Sequence, residues 1–217
     1  MLNSFENKII AFLIICFSIA IHEFAHAKVA DSCGDPTPSR MGRVTLNPLA
    51  HLDPMGTMLI AFTVMAGFGL GWGKPVLVDP RLMRNPRWDH LFVAAAGPLS
   101  NLIQAIAWAI IFRIAVMAGM ISSGTELLAI VCLFGVFFNI ILMLFNLIPL
   151  GPLDGHWIVG SLLPPRTQLA WYRFNRLYGL ILLLGILVIG WINPNLSLIS
   201  WIIGPPTTAM VNLLMGR

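Results

Sequence analysis

Long apolar stretches constrain this chain more than any other feature of its sequence. A transmembrane helix needs about 20 mostly apolar residues to cross about 30 Å of hydrocarbon. Only helices and closed barrels satisfy their backbone hydrogen bonds in that environment. The sequence therefore predicts an all-α polytopic membrane protein, in which residues 1–217 form a single transmembrane domain with five to six hydrophobic segments. The apolar runs cover residues 8–30, 53–70, 91–118, 127–150, 177–193 and 196–214.

Charge supports this class and excludes nucleic acid as a partner. Only 10% of the residues are charged, against about 25% in a soluble domain. The formal net charge is +4. However, the basic residues lie in short blocks between apolar runs and not along one polar face, as a nucleic-acid-binding surface requires. The expected partner of the apolar surface is the lipid bilayer, and the sequence leaves the oligomeric state open.

The basic blocks also predict the orientation of the chain. They fall in three stretches between apolar runs, whereas the 119–126 stretch carries only Glu126 as a charged residue. Cytoplasmic loops of membrane proteins contain the excess of lysine and arginine, so the three basic stretches are expected on the cytoplasmic side. Their basic residues are Arg40, Arg43, Lys74, Arg81, Arg84, Arg87, Arg166, Arg173 and Arg176.

Two apolar runs carry features that a simple crossing does not explain. The 53–70 run has basic residues on both sides, so a crossing would place one flank on the wrong side. We expect a small re-entrant or β-like element near residues 36–80 at the membrane edge, with a conventional crossing as the alternative. In the 196–214 run, Pro205 and Pro206 predict a broken helix, because helix interiors tolerate proline poorly. Glycines that favour the re-entrant element are Gly56, Gly67, Gly69, Gly71 and Gly73.

Residues His22-Glu23-Phe24-Ala25-His26 form an HExxH motif near the end of the first apolar run. Positions four apart on a helix differ by about 40° in direction and about 6 Å in height, so both imidazoles can reach one metal ion. Glu23 lies beside them, where its carboxylate can take a proton from water activated by zinc. The alternative is a pair of buried histidines bonded to neighbouring groups. Burial in lipid favours the metal site, because a bound cation offsets the cost of placing ionisable groups there.

A catalytic zinc ion usually has three protein ligands, so a third ligand is expected elsewhere in the chain. Asp154 is the strongest candidate. It follows the 127–150 run within a stretch of two prolines and two glycines, which should unwind the helix and point a carboxylate inward. The other candidates lie among basic or turn residues, where a solvated surface position is expected. They are His51, His90, His156, Asp35, Asp53, Asp79 and Asp89.

Together these motifs resemble the site-2 protease family of zinc intramembrane metalloproteases, in particular its short prokaryotic members without an added PDZ domain. The resemblance covers most of the chain. HExxH alone is moderately specific, but its combination with Leu153-Asp154-Gly155 at a helix end and Ala96-Gly97-Pro98-Leu99-Ser100-Asn101 between them is strongly so. The small residues of the second motif favour close helix packing, with Asn101 available for an interhelical hydrogen bond. Further matching stretches are 34–36, 46–54 and 71–76.

The resemblance implies a zinc-dependent endopeptidase that cuts the membrane-spanning segments of other membrane proteins. It implies one zinc ion per chain, held by His22, His26 and Asp154, with Glu23 as the general base. It places Asn146 near the substrate or the oxyanion, and a role in capping or joining helices through its amide is the alternative for this residue. The expected location is the inner membrane of a prokaryotic cell, with the active site toward the cytoplasm.

Two other functions compete with this interpretation. A metal-binding membrane transporter would hold its ligands near the bilayer midplane and often contains internal repeats, and the sequence has no repeat. An inactive relative that acts as a scaffold is disfavoured by the completeness of both motifs. Gly151 and His156 depart from the sequence usual in the family around Asp154. Their departure leaves the local backbone shape and the role of His156 open. For His51 the motif assigns no chemistry, and we expect a structural role.

Overall fold

The computed structural model describes residues 4–66, 71–123 and 126–216. Over these ranges the chain forms nine α-helices, and its only β-type pairing is one isolated bridge. The prediction of an all-α polytopic chain is therefore confirmed. The helices are α1 Phe5–Ser32, α2 Thr37–Arg40, α3 Pro54–Ala66, α4 Pro86–Met117, α5 Leu127–Asn146, α6 Asp154–Leu162, α7 Pro165–Phe174, α8 Leu180–Ile192 and α9 Leu198–Met215.

Five helical stretches in the described ranges are long and apolar enough to cross a bilayer: α1, α4, α5, the continuous stretch Pro165–Ile192, and α9. A π-helical turn, Asn175–Gly179, joins α7 to α8 within the fourth stretch. The apolar run predicted from residue 177 is thus part of a longer helix. The polar residues before residue 177 are also helical. Helix α7 begins at Pro165, and proline is favoured at the first position of a helix. These stretches make the chain an integral membrane protein.

The helices α1, α4 and α5 form the scaffold of the molecule. Ala105 and Ala109 of α4 are buried against Ile140 of α5. Ile14 of α1 is buried in a second cluster with Phe134 of α5. Small side chains allow helix backbones to approach closely. Polar groups on the facing sides of these three helices are therefore held at short and fixed distances.

The described part of the 53–70 run, residues 53–66, is too short to cross the membrane. Helix α3 has 13 residues and is about 20 Å long, which is short of the hydrocarbon thickness of about 30 Å. Leu52 and Gly73 form the antiparallel bridge, and the Lys74 amide donates to the His51 carbonyl oxygen at 2.7 Å. Because both ends of the segment meet at one place, the segment enters and leaves on the same side, as the re-entrant prediction requires.

Glycines allow the two arms of this element to approach each other. A side chain at Gly56 would overlap the carbonyl group of Trp72, and a Cβ at Gly71 would lie 2.8 Å from the backbone nitrogen of Ile60. Each arm therefore packs on the backbone of the other without lipid between them. Two further glycines of this run lie outside the described residues, Gly67 and Gly69.

Helix α9 runs without interruption through Pro205 and Pro206, so the prediction of a broken helix is wrong. Each proline removes only its own amide donor, and the neighbouring residues keep theirs. The hydroxyl of Thr208 adds a hydrogen bond to the Gly204 carbonyl oxygen at 3.0 Å. Side-chain hydroxyls of this kind support proline-containing helices in membranes.

The re-entrant element predicts that Leu49 and Leu77, which flank it, are accessible from the same side of the membrane. Both side chains are exposed, at 78% and 59%. In a chain whose native cysteines are replaced by alanine, we expect Leu49→Cys and Leu77→Cys to react with an impermeant maleimide added to the same side of sealed vesicles. Met117→Cys, at the far end of α4, is the control and should react from the other side. Labelling of Leu49→Cys and Leu77→Cys from opposite sides would contradict the arrangement.

Candidate metal centre

His22 and His26 lie on the buried face of α1, and Asp154 is the first residue of α6. The two imidazole Nε2 atoms are 3.0 Å apart. Asp154 places Oδ2 at 3.2 Å from Nε2 of His22 and Oδ1 at 3.3 Å from Nε2 of His26. In the described part of the chain, these three residues form the one cluster of His, Cys, Asp or Glu ligand atoms within 4.8 Å of one another. The structure thus brings together the three candidate ligands.

A chain of buried hydrogen bonds fixes which nitrogen of His22 carries the hydrogen. The Gly135 carbonyl oxygen can only accept, so Nδ2 of Asn139 donates to it, at 2.8 Å, and also to Ser18 Oγ, at 2.9 Å. Oδ1 of Asn139 then accepts from Nδ2 of Asn101 at 2.9 Å. Oδ1 of Asn101 consequently faces Nδ1 of His22 at 2.7 Å. Because this oxygen can only accept, Nδ1 of His22 is the donor.

His26 is fixed in the same way. Its Nδ1 donates to the Val93 carbonyl oxygen at 2.7 Å, so its Nε2, like that of His22, has an unshared electron pair. Oδ2 of Asp154 is buried without a hydrogen-bond partner in the described ranges. Acceptors that converge in this way repel one another unless a cation lies between them. Two histidines and one carboxylate are a known ligand set for catalytic zinc, so the residues fit this ion.

The charge state of Asp154 also suits a metal ligand. Burial raises the pKa of its carboxyl group, but a proton on the neighbouring imidazoles of His26 and His22 outweighs burial and holds that pKa below its ordinary value. With neutral imidazoles, a bound cation would supply the positive charge that keeps the carboxylate ionised. A ligating carboxyl group must be in this form, because the proton and the metal compete for the same oxygen.

Backbone contacts hold the turn that leads into Asp154. A side chain at Gly155 would overlap the carbonyl oxygen of Leu147, so only glycine fits at this position. On the other side of the turn, Oδ1 of Asn175 accepts from the Gly151 amide at 2.8 Å. Asn175 belongs to the π-helical turn between α7 and α8, and the sequence analysis did not identify it. The carboxylate is thus positioned from both sides of its turn.

Helix α4 can approach the two imidazoles only because residue 97 is glycine. A Cβ at Gly97 would lie 2.6 Å from Nε2 of His22 and would overlap Nε2 of His26. The motif at 96–101 therefore supplies two features of the site: space for the imidazoles at Gly97, and the hydrogen bond from His22 at Asn101. The close packing and the interhelical hydrogen bond expected from this motif are both present.

Residues 71–80 form an irregular segment beside Glu23, which we call the strap. The Val76 amide donates to Oε2 of Glu23 at 3.1 Å. Arg43, only 3% exposed, supports the strap by donating to the carbonyl oxygen of Lys74. The strap therefore holds the carboxylate of Glu23 beside the three candidate ligands. No motif marks a backbone amide, so this contact could not be predicted from the sequence.

Asn146 is the last residue of α5 and lines the same cavity as the three candidate ligands. Its Nδ2 donates to the carbonyl oxygen of Leu142, one turn earlier in the same helix, at 2.9 Å. This bond lies within α5 and does not join two helices. A role for Asn146 toward the substrate or the oxyanion stays a prediction.

Several residues expected at a solvated surface are instead buried. His51 is 0% exposed, and its Nε2 bonds to the Thr45 carbonyl oxygen at 2.8 Å, so its role is structural. Burial lowers the pKa of His156, which is therefore neutral at neutral pH. The surface prediction was wrong because packing between separate segments buries these residues, two of them, His90 and His156, within helices α4 and α6. The corrected residues are His51, His90, His156 and Asp35.

A cavity of about 660 Å³ opens beside the three candidate ligands, and we call it the central cavity. Glu23 and the strap line one side of it, and mostly apolar residues from α5 and α8 line another. A volume of this size suits a ligand pocket with a few placed polar groups. The cavity therefore lies directly beside the cluster and has room for a ligand.

Comparison with known proteins agrees with this geometry. The chain is 41% identical over 191 residues to "Putative zinc metalloprotease YwhC" of Bacillus subtilis, and the alignment covers 85% of this chain and 80% of that protein. It is 29% identical over 181 residues to "Putative zinc metalloprotease Rip2" of Mycobacterium tuberculosis, covering 80% and 66%. A protein of the same name from Mycolicibacterium smegmatis is 28% identical over 158 residues, covering 70% and 57%. No protein-family model matches the chain, and no solved structure gives a significant match.

A polytopic helical fold, an HExxH helix and a carboxylate that meets its two histidines define a membrane-embedded metalloprotease class. Within that class, the chain belongs to the family of zinc metalloproteases that includes the Bacillus subtilis relative, because they align over most of both proteins. The two mycobacterial proteins are longer, and the chain spans about two thirds or less of their length.

The hydrogen-bond chain predicts that Asn101→Leu lowers zinc affinity by about 10- to 100-fold, the usual effect of removing a group that orients a metal ligand. Without Asn101, His22 loses the acceptor that fixes its tautomer. Zinc affinity is measured by competition with a chelator on monodisperse protein in detergent. The matched control is Gln104→Leu, one turn along α4. Among the described residues, the only hydrogen bond of the Gln104 side chain is a long one, from Nε2 to the Ser18 carbonyl oxygen at 3.5 Å. Equal affinities for the two variants would contradict the proposed orientation.

Proposed function

We propose that this chain is an intramembrane endopeptidase of the site-2 protease type, which hydrolyses peptide bonds in or near the membrane-spanning segments of other membrane proteins. The observation that carries the proposal is the convergence of His22, His26 and Asp154 within a bundle of helices able to cross a bilayer. His22 is 7% exposed and His26 is 8% exposed. A metal centre at this place would be surrounded by lipid-spanning helices.

The three converging residues would hold one zinc ion per chain. When bound, zinc supplies the Lewis acidity that activates water and polarises the peptide carbonyl group. His22 and His26 present their Nε2 atoms because both Nδ1 atoms are engaged as donors. Asp154 contributes negative charge from the opposite side of the site. The ligand set is thus preorganised by α1, α4 and α6, and binding requires little rearrangement.

Glu23 is the proposed general base. Its carboxylate lines the central cavity beside the ligands and is steadied by the Val76 amide. It would take a proton from the attacking water and pass that proton to the leaving amine. Asn146 lines the cavity on the α5 side, where its amide could contact the substrate carbonyl group or the developing oxyanion.

The strap is the proposed binding edge for the substrate. A helix hides its peptide bonds in its own hydrogen bonds, so the substrate has to unwind before it is cut. Neither the N–H nor the C=O of Leu77 has a hydrogen-bond partner among the described residues, and Leu77 lines the cavity. An unwound substrate could pair with this backbone as an added strand. Helix-destabilising residues in the substrate would then favour cleavage.

The proposed location is the inner membrane of a prokaryotic cell, with the site toward the cytoplasm. The relatives reported above come from bacteria. The three basic stretches of the sequence lie near the end of the bundle where α1 ends, α4 begins and α6 carries the carboxylate. The positive-inside rule places this end in the cytoplasm. Water would reach the central cavity from that side.

The proposed mechanism predicts that Glu23→Gln keeps zinc but loses at least about 100-fold in cleavage rate, because a positioned acid–base group contributes about 10²- to 10⁴-fold. Cleavage is measured on a model transmembrane substrate reconstituted in vesicles, and zinc by elemental analysis. Glu6→Gln makes the same chemical change in the first turn of α1 and should leave the rate unchanged. A Glu23→Gln variant with full activity would refute the protease assignment, and zinc transport by that variant would favour a transporter.

A further inference from the structure

One face of α4 runs along the central cavity from Asn101 to His90. Asn101 accepts from His22, Gly97 lies under the two imidazoles, and the carbonyl oxygen of Val93 accepts from His26. His90 lies one turn before Ala94 on the same buried face and also lines the cavity. Seven residues separate His90 from Gly97, which places it about 10 Å along the helix from the metal centre.

His90 differs from every other histidine of the chain. The other four each bond through a ring nitrogen to a carbonyl or carboxamide oxygen. His90 is only 8% exposed, yet neither of its ring nitrogens has a hydrogen-bond partner in the described parts of the chain. Its ring packs edge-on against Trp157, with the ring centroids 4.9 Å apart. The ring nitrogens are not fully enclosed by the protein, because His90 lines the central cavity, so they can bond to a group that enters it.

Trp157 offers a second unused donor at the same place. It lies on α6, three residues after Asp154, and lines the central cavity with His90. Within the described ranges, no acceptor bonds its indole nitrogen. The nearby Trp171, in contrast, donates its indole N–H to the His156 carbonyl oxygen at 2.8 Å. His90 and Trp157, the latter 37% exposed, therefore bring two N–H groups to a cavity whose other lining residues are mostly apolar residues of α5 and α8.

We propose that His90 and Trp157 form a polar subsite that binds the carboxamide of an asparagine or glutamine in the substrate, about three residues from the cleaved bond. An extended peptide advances about 3.4 Å per residue, so three residues cover the distance between the subsite and the metal centre. A carboxamide oxygen accepts two hydrogen bonds, which matches the two donors. The inference rests on the proposed function and names the substrates that the same site selects.

The subsite also explains how a protease in lipid could choose among apolar segments. Apolar side chains differ little in how they fill an apolar pocket, whereas a site with buried donors rejects a substrate that leaves them unpaired. A carboxamide in a membrane helix likewise lacks water as a partner. Binding in the subsite gives hydrogen-bond partners to the donors of the protein and to the carboxamide of the substrate. The protease would therefore prefer substrates with a carboxamide residue near the cleaved bond.

The experiment measures cleavage of one model transmembrane substrate in which leucine or glutamine is placed in turn at each of the four positions on either side of the cleaved bond. For wild-type protein we expect glutamine at one position, about three residues from the cleaved bond, to raise kcat/KM by about tenfold through a lower KM. A tenfold change is the effect expected of one or two hydrogen bonds. His90→Leu should abolish this preference, and His90→Gln should restore part of it. Phe92→Leu is the control, because Phe92 is 56% exposed on the lipid-facing side of α4, and it should keep the preference.

Each outcome separates this inference from the proposed function. Two outcomes overturn the subsite and leave the protease assignment intact. In the first, cleavage depends on Glu23 but shows no preference for glutamine. In the second, the preference for glutamine survives His90→Leu. A loss of zinc in His90→Leu also overturns it, since His90 would then support the metal centre. Binding of the two substrate forms to the Glu23→Gln variant is measured separately, so the subsite can be judged even if the protease assignment fails. Tighter binding of the glutamine form that is lost on adding His90→Leu supports the subsite, and equal binding overturns it.

Discussion

Electron pairs from two imidazoles and a carboxylate converge inside an apolar helix bundle, and the rest of the structure depends on this constraint. Such acceptors attract one another only through a cation. The surrounding helices keep them in place: the Gly135 carbonyl orients Asn139, Asn139 orients Asn101, and Asn101 orients His22. This dependence explains why fully buried polar side chains occur on helices that are otherwise apolar.

The same constraint organises the groups around the ligands. Close approach of α4 requires glycine at position 97, and entry of the carboxylate requires the tight turn before α6. The strap then closes the side of the site where Glu23 lies. What stays open is the central cavity, whose wall is mostly apolar with a few polar groups. A site of this kind suits an unwound apolar peptide better than a hydrated ion in transit.

The sequence was informative for most signals that lie within one element, and the two prolines of α9 are the exception. HExxH spacing fixes two imidazoles on one helix face, and basic flanks on both sides of one run predict re-entry. Contacts between distant elements were not predictable in this way. No periodicity or motif marks three of these contacts, because each depends on how separate segments pack. They are the bond of Asn175 to the Gly151 amide, the bond of the Val76 amide to Glu23, and the bond between Asn101 and Asn139. The prediction that His90 lies at the surface was wrong for the same reason. Helix α9 is continuous because two prolines remove fewer backbone hydrogen bonds than a break of the helix within lipid would remove.

The most direct test of the account is X-ray absorption spectroscopy at the zinc edge on the purified, active protein. The account predicts one zinc ion per chain with two imidazole nitrogens at about 2.0–2.1 Å and an oxygen shell from the carboxylate. The imidazole signal should fall in His22→Ala and His26→Ala. Fully active protein without zinc, or a spectrum dominated by sulfur at about 2.3 Å, would contradict it.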